Sequence, residues 1–425
     1  MYKNTISKCI TLVFLNQLYN ILVEVCDKII LPIMAIFNRR IKTFINKRKF
    51  IFEKIGRENF QKTKNIWFHA ASLGEYEIAL TLIKKIKKDK TNKIILTFFS
   101  ESGFKLKKRA KEIDHTYYLP LDTKNNAKRF INTINPTTVI FVKSEIWPNY
   151  LNELSKKGVK TYLIEGKFRI GDWYFNAPLK KIIESRLKGF KKIFVQDNIS
   201  EKVLKEKKLN NVVLAGSLKI ERVKMQLKEN NDNVKIEKFK KEGFCIVCGS
   251  TWQEDEKMII KYINENNDTN IRWIIAPHDI SEKNINRIKN KIKYKSNIYS
   301  DIVKNKVQYN VLIIDTIGDL KKIYKYADIS YVGGGMGNLG LHNILEPCVF
   351  GNPVIIGKNF DKFIEARDLV RLKGVKSVIN YEEFKFNLNK LINQKQKRDN
   401  MKKIISKYIK SKTGALSLIL KEIKL

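Results

Sequence analysis

No Asp-x-Asp pair, no Walker loop and no His-x-x-x-His spacing occurs in this chain. The first absence leaves a metal-bridged nucleotide diphosphate without an obvious holder, and the second excludes a P-loop site. Five cysteines in 425 residues make no disulfide framework. Cys245-x-x-Cys248 is the only close pair, and no second pair completes a zinc site. It lies in the apolar run from Phe244 to Cys248, so it reads as part of a buried strand, and a reducing cytoplasm fits this usage.

Unbroken apolar stretches are missing too. Asn16, Gln17, Asn20, Glu24, Asp27 and Lys28 cut the run 5–37 below the roughly 20 residues that a membrane-crossing helix needs. No small-x-small cleavage site follows, so a removed signal peptide is not expected. A basic flank of Arg39, Arg40, Lys42, Lys47, Arg48 and Lys49 comes next. An apolar helix before a basic cluster suits an anchor lying in, or dipping into, the cytoplasmic leaflet. A core helix of the first domain is the alternative.

Acidic residues are outnumbered, 43 against 83 Lys and Arg, leaving a net charge of +40. Such a charge ordinarily suggests a polyanionic partner. The lysines are spread along the whole chain, as an AT-rich genome would spread them, and no nucleic-acid module accompanies them. A phosphorylated lipid surface suits diffuse positive charge equally well. The 43% apolar and 11% aromatic content is that of a globular protein, long enough for two full cores.

From Asn65 onward short apolar runs alternate with amphipathic stretches, which predicts parallel sheets covered on both faces. Strands are expected at 66–69, 94–98, 139–142, 161–164, 192–195 and 212–214, with helices such as 76–88 and 127–134. A second series covers 244–248, 272–276, 311–314, 329–332 and 353–356. The polar stretch Lys224 to Lys241 between the series is the natural joint. The expected division is a membrane-associated helical segment at 1–50, an α/β domain at 51–225, a linker at 226–241, a second α/β domain at 242–398 and a C-terminal helix at 399–425. Two such halves imply a cleft, where open α/β sheets bind ligands.

The densest signal is Val332 to Glu346, V-G-G-G-M-G-N-L-G-L-H-N-I-L-E. Glycines there let backbone approach a ligand, and a helix carrying His342, Asn343 and Glu346 is expected to start at the turn and favour an anion. Asn343 and Glu346, three apart, share a face suited to sugar hydroxyls. Gly335-x-Gly337-x-x-Gly340 with Asp361 also spells a dinucleotide fingerprint. Its late position and the unexplained His-Asn-x-x-Glu argue against a dehydrogenase.

In the first half, Ser72-x-x-Glu75 follows a strand. It spells a capping box, and it equally places a carboxylate where a general base could work. Glu145 directly follows another strand, with Trp147 reading as core and Pro148 opening a helix. Lys219, in Gly216-Ser-Leu-Lys219, could neutralise a leaving phosphate. In the second half, Thr251-x-x-Glu254 spells a cap beside Ser250, where backbone amides could hold a phosphate. Pro277-His278 closes a strand, and Ile317-Gly318-Asp319 lies in a turn before the helix expected from Leu320 to Tyr326.

Taken in order, these pieces resemble the 3-deoxy-D-manno-octulosonic acid (Kdo) transferases of lipopolysaccharide assembly. The resemblance runs through His69-x-x-Ser72-x-Gly74-Glu75, Tyr118-Leu-Pro-Leu-Asp122, Glu145-Ile-Trp-Pro-Asn149, Gly216-Ser-Leu-Lys219 and Gly249-Ser-Thr251. It continues through Asp315-Thr-Ile-Gly318-Asp-Leu320, His342-Asn-Ile-Leu-Glu346-Pro347 and Gly351-Asn-Pro353-Val. Three positions depart from the commoner pattern: Lys143 stands for a glutamate, Pro277-His278-Asp279 for Pro-Arg-His, and Leu341 for a glycine.

The resemblance implies two Rossmann-like domains facing a cleft, the GT-B glycosyltransferase architecture, with an N-terminal membrane-associated helical segment. It implies transfer of Kdo from CMP-Kdo to a lipid A precursor, lipid IVA, at the cytoplasmic face of the inner membrane, without metal or cofactor and without nucleic acid. Glu75 would be the base, and Glu145 and Lys219 would stabilise developing charge. Ser250, Pro277, His278, Ile317, Gly318, Asp319, Asn343, Ile344, Leu345 and Glu346 would hold CMP. A membrane-associated UDP-sugar transferase of the same architecture is the alternative.

Overall fold

The computed structural model describes residues 2–100, 111–266, 268–302 and 309–424. The chain divides into two compact units, Met1–Arg222 with Thr413–Leu425, and Val223–Lys412. Each is an α/β unit built on one parallel sheet, the expected fold class.

The first sheet comprises β1 (Lys64–Ala70), β2 (Asn92–Phe98), β3 (His115–Tyr118), β4 (Pro136–Val142), β5 (Lys160–Gly166), β6 (Lys192–Val195) and β7 (Val212–Leu214). Their order is β3-β2-β1-β4-β5-β6-β7. β1 is buried from Asn65 to Ala70, which is why it reads as an almost continuous apolar run rather than an alternating one. Successive side chains serve opposite faces. Trp67 packs at 5.1 Å from Phe130 and 5.7 Å from Tyr150, while Phe68 joins Ile83, Phe98 and Ile140 in the other core layer. Truncating an aromatic buried like Trp67 costs about 3–5 kcal/mol.

The second sheet comprises β8 (Phe244–Thr251), β9 (Ile271–Pro277), β10 (Ser296–Ile298), β11 (Val311–Ile313), β12 (Ile329–Val332), β13 (Val354–Gly357) and β14 (Val375–Val378). Their order is β10-β11-β9-β8-β12-β13-β14. Cys245 and Cys248 are buried in β8 as expected, and burial pushes the Cys245 thiol up to about 12. In both sheets strand order reverses near the middle, between β1 and β4 in the first and between β8 and β12 in the second, where β11 is also inserted between β9 and β10. Ligands of open α/β sheets bind at the carboxyl ends of strands flanking such a reversal.

Three strands escaped the sequence reading: β3, β10 and β14. All are sheet edges, where a strand needs fewer apolar residues. Within the stretch read as a linker, Val234–Lys240 is a helix. Its Ile236 and Phe239 are buried beside Cys245 and Val247 of β8. The tail, expected as one helix over 399–425, is two, Lys395–Ser411 and Ala415–Glu422, separated at Gly414 with φ +112°. The second belongs to the first unit: Ala415 and Ile419 enter the core layer of Phe68, and Gly414 N donates to Glu221 at 2.7 Å.

The chain opens with helices Tyr2–Val25, Leu31–Phe37, Arg39–Lys49 and Ile51–Gly56. Two side-chain contacts tie the first to its own unit: Tyr19 donates to Asp122 at 2.7 Å, and Arg186 donates to Asn16 at 2.7 Å. The buried Arg48 guanidinium fastens the third, donating to the Leu119 and Phe99 carbonyls at 2.9 and 2.6 Å and lying 3.6 Å from the Phe44 ring. Phe14, Ile36 and Phe37 remain 62%, 76% and 86% exposed. Among the described residues no helix is long and apolar enough to cross a membrane.

Candidate active site

In the first unit the reversal brings together the ends of β1 and β4. Helix Leu73–Ile86 starts directly after β1 and carries Glu75 in its first turn. Glu75 Oε2 accepts from Ala71 N at 2.6 Å, while Ser72 makes no side-chain cap. The capping box is therefore half formed, shifted one residue. The other oxygen, Oε1, lies 3.6 Å from Lys143 Nζ. Glu75 is buried, and this burial raises its carboxyl above the usual range; Lys143 opposes the rise and Glu145 adds to it.

Glu145 Oε2 accepts from Trp147 Nε1 at 2.9 Å and lies 3.4 Å from His69 Nε2. That nitrogen is fully buried and lacks hydrogen-bond geometry to any partner, although His69 Nδ1 is fixed 2.8 Å from Thr97 Oγ1. The buried Nε2 atom thus faces the Glu145 carboxylate without a hydrogen bond of its own.

Lys219 sits half-buried on helix Leu218–Gln226, with its charge acting on Glu165. Glu165 is the penultimate residue of β5, next to β4, and sequence reasoning missed it. Its carboxylate accepts from Gln196 at 2.6 Å, Ser217 at 3.0 Å and the Leu218 amide, so it fixes the Gly216–Lys219 turn. The signal was present: a lone acid at the end of an apolar strand, much as Glu145 follows one.

In the second unit the ends of β8, β9 and β12 meet. His278 stacks 4.4 Å from Trp252 and 4.7 Å from His342, and Trp252 Nε1 donates to His342 Nε2 at 3.0 Å. Burial, then the neighbouring His278, pull His342 down to about 4, so it is a neutral acceptor at pH 7. Beside Trp252 an open pocket of about 360 Å³ is lined by Glu256, Asp279, Lys283 and Arg287 among others. Pro277 ends β9, Ser250 is held at φ +53°, Ile317 is exposed, and Asp319 accepts from Thr316 Oγ1 at 2.6 Å.

The glycine turn differs from expectation in two ways. Its first glycines approach protein rather than open space: a Cβ on Gly333 would meet Ser250 O at 2.4 Å, and one on Gly335 the Gly357 amide nitrogen at 3.0 Å. The turn opens from Met336 to Gly340, where Leu339 is 66% exposed. The helix beyond it starts only at Leu345 and is five residues long, so His342 and Asn343 precede it. Asn343 Oδ1 already accepts from Leu345 N, and its amide donates to Glu346 Oε1 at 3.1 Å. Asn343 and Glu346 still share one polar spot, while Ile344 and Leu345 are buried.

The cap of helix Gln253–Glu265 is also displaced from Thr251 and Glu254. Asp255 reaches back to Trp252 N at 2.9 Å and accepts from Gly334 N at 2.8 Å and Tyr331 OH at 2.6 Å. It pins the glycine turn to β8 and was not foreseen. Among the described residues no group of three His, Cys, Asp or Glu could hold a metal.

Two doubly wound parallel sheets, each with polar groups at its reversal, define the GT-B class of fold. A UDP-GlcNAc 2-epimerase from Neisseria meningitidis shares it at TM-score 0.62 and 15% identity, over 84% of this chain and 99% of that one. Residues 46–222 match the family model of 3-deoxy-D-manno-octulosonic-acid transferase (kdotransferase), and the chain is similar to proteins of that family over most of its length. It is 24% identical to the Haemophilus influenzae Kdo transferase over 96% of this chain and 97% of that one. It is 28% identical to a bifunctional glycosyltransferase/methyltransferase from Fusobacterium nucleatum over 95% of its length, spanning 63% of that relative.

Proposed function

We propose that this protein transfers Kdo from CMP-Kdo to a lipid A precursor, lipid IVA, at the cytoplasmic face of the inner membrane. The observation that carries the reading is the carboxylate pair Glu75 and Glu145 at the β1/β4 reversal, with Lys143 beside it, in a chain similar to proteins of the Kdo transferase family. Glu75 takes the proton of an acceptor sugar hydroxyl. The hydroxyl oxygen attacks the anomeric carbon of Kdo from the face opposite CMP, giving inversion. The bond from that carbon to the phosphate oxygen breaks, and CMP leaves with the electron pair. Glu145 stabilises positive charge growing on the sugar, and Lys219 the negative charge growing on the phosphate.

The second unit holds CMP. Ser250, Pro277 and His278 offer backbone and ring contacts, Ile317, Gly318 and Asp319 an exposed turn, and Asn343 through Glu346 the polar spot for ribose hydroxyls. CMP has one phosphate, which such groups can neutralise without a metal. The exposed apolar side chains of the opening helices, followed by Arg39, Arg40 and Lys42, favour the surface of an anionic bilayer.

Incubating the protein with CMP-Kdo and lipid IVA, then weighing the lipid by mass spectrometry, tests the reading. A mass gain of one or more Kdo units with release of CMP is expected; turnover of a UDP-sugar instead would overturn it. In the same assay Glu75→Ala is expected to lower transfer by at least about 10²-fold, with vesicle binding retained.

A further inference from the structure

Among the charged and titratable groups that bear on the Glu75 carboxylate, Lys143 favours its ionised form most strongly, with His69 adding a smaller effect of the same sign. Lys143 and Glu145 face it from the turn after β4, and His69 from β1. Burial and the Glu145 charge both disfavour its ionised form. Its Oε2 is committed to the Ala71 amide at 2.6 Å, which leaves Oε1 to receive a proton. Lys143 Nζ stands 3.6 Å from that oxygen.

The backbone of Lys143 is itself unusual. It adopts φ +63°, a left-handed conformation in which a Cβ is crowded, and its amide is anchored to Ile164 O at 2.8 Å. A residue with a side chain held in that region, at a strand end beside reacting groups, is where function offsets local strain.

We infer that Lys143 is a positioning residue for the transfer reaction: its ammonium keeps the Glu75 carboxylate ionised and orients Oε1 toward the incoming hydroxyl. The inference rests on the reading of Glu75 as the base. Lys143 does not itself take the proton; the proton passes from the acceptor oxygen to Oε1. A base works when deprotonated, so the rate falls as pH drops through the Glu75 value, and losing Lys143 moves that limb to higher pH. The lysine side chain is 42% exposed, so water screens the pair and the shift is about one pH unit rather than several.

The test has two arms. The first compares kcat/KM against pH for the wild type, Lys143→Met, Lys143→Gln and Lys143→Arg, using CMP-Kdo and lipid A precursor. The second titrates the Glu75 carboxyl by carbon-13 NMR without any donor, the signal being assigned with Glu75→Gln. Met and Gln are expected to move both the acid limb and the NMR midpoint upward by about one pH unit, and Arg to restore them. An unmoved midpoint in Met and Gln, or an Arg variant displaced as far as Met, overturns the inference. So does a rise in KM for lipid with an unmoved limb, which assigns Lys143 to acceptor binding instead. The NMR arm uses no substrate, so a wild type that transfers no Kdo sinks the proposed function while the effect of Lys143 on Glu75 is still measured.

Discussion

Asp122 shows how a single side chain can join three segments. Its carboxylate accepts from the amides of Asn149 and Tyr150 at 3.1 and 3.0 Å, where a helix begins, and from Tyr19 OH at 2.7 Å. Burial outweighs these bonds and pushes it up to about 7. The ordinary Asp value lies near 4, so the folded state binds the proton more tightly than the unfolded one. The stability from this group is complete below about pH 4 and is lost as pH rises toward 7. Asp122→Asn carries no such titration. Whatever constant offset the amide introduces, the stability gap is expected to move in favour of Asn between pH 4 and 7 and to level off above. Urea melts of both proteins across that range measure it, and a gap independent of pH contradicts the assignment. Sequence alone marked Asp122 only as part of Tyr118-Leu-Pro-Leu-Asp122. Its partners lie 27 or more positions away in the chain, which no local pattern reveals. Glu75 and Glu145 stood out as candidates for the opposite reason: each is an acid within a few residues of the end of a buried strand, a local pattern.

At the scale of elements, every interior strand was readable, while of the four edge strands only β7 was. β1, β4, β8 and β12 lie between two helical layers, and double-sided burial writes itself into the sequence as Ile, Val, Phe and Trp. β10, Ser-Asn-Ile, and β14, Val-Lys-Ser-Val, carry no such run. The glycine turn was located correctly, but its support was not, because Asp255 lies 79 positions from Gly334. Asp255→Ala leaves the amides of Trp252 and Gly334 and the Tyr331 hydroxyl without their acceptor. Each buried unsatisfied group costs about 1–3 kcal/mol, so a loss of about 2–5 kcal/mol is expected, Trp252 being partly solvated. Chemical denaturation monitored in the second unit would show this; a loss under about 1 kcal/mol means that water replaces the carboxylate.

For the whole molecule, the exposed apolar residues of the opening helices are its clearest surface signal. Replacing Phe14, Ile36 and Phe37 together by Ser is expected to weaken sedimentation with anionic vesicles at least several-fold, each side chain contributing about 1.5–3 kcal/mol if fully withdrawn from water. The melting temperature should stay near that of the wild type, because these side chains are mostly exposed. Vesicle binding equal to the wild type would place the contact elsewhere on the molecule. The +40 charge alone does not single out this face, since lysines occur throughout.

The helix Ala415–Glu422 completes the hydrophobic layer of a sheet whose last strand is Val212–Leu214. During translation all of Val223–Lys412 must leave the ribosome before that layer can be sealed. The lobe begun first is thus finished last. Until then it has an open greasy flank, a natural point of engagement for a chaperone.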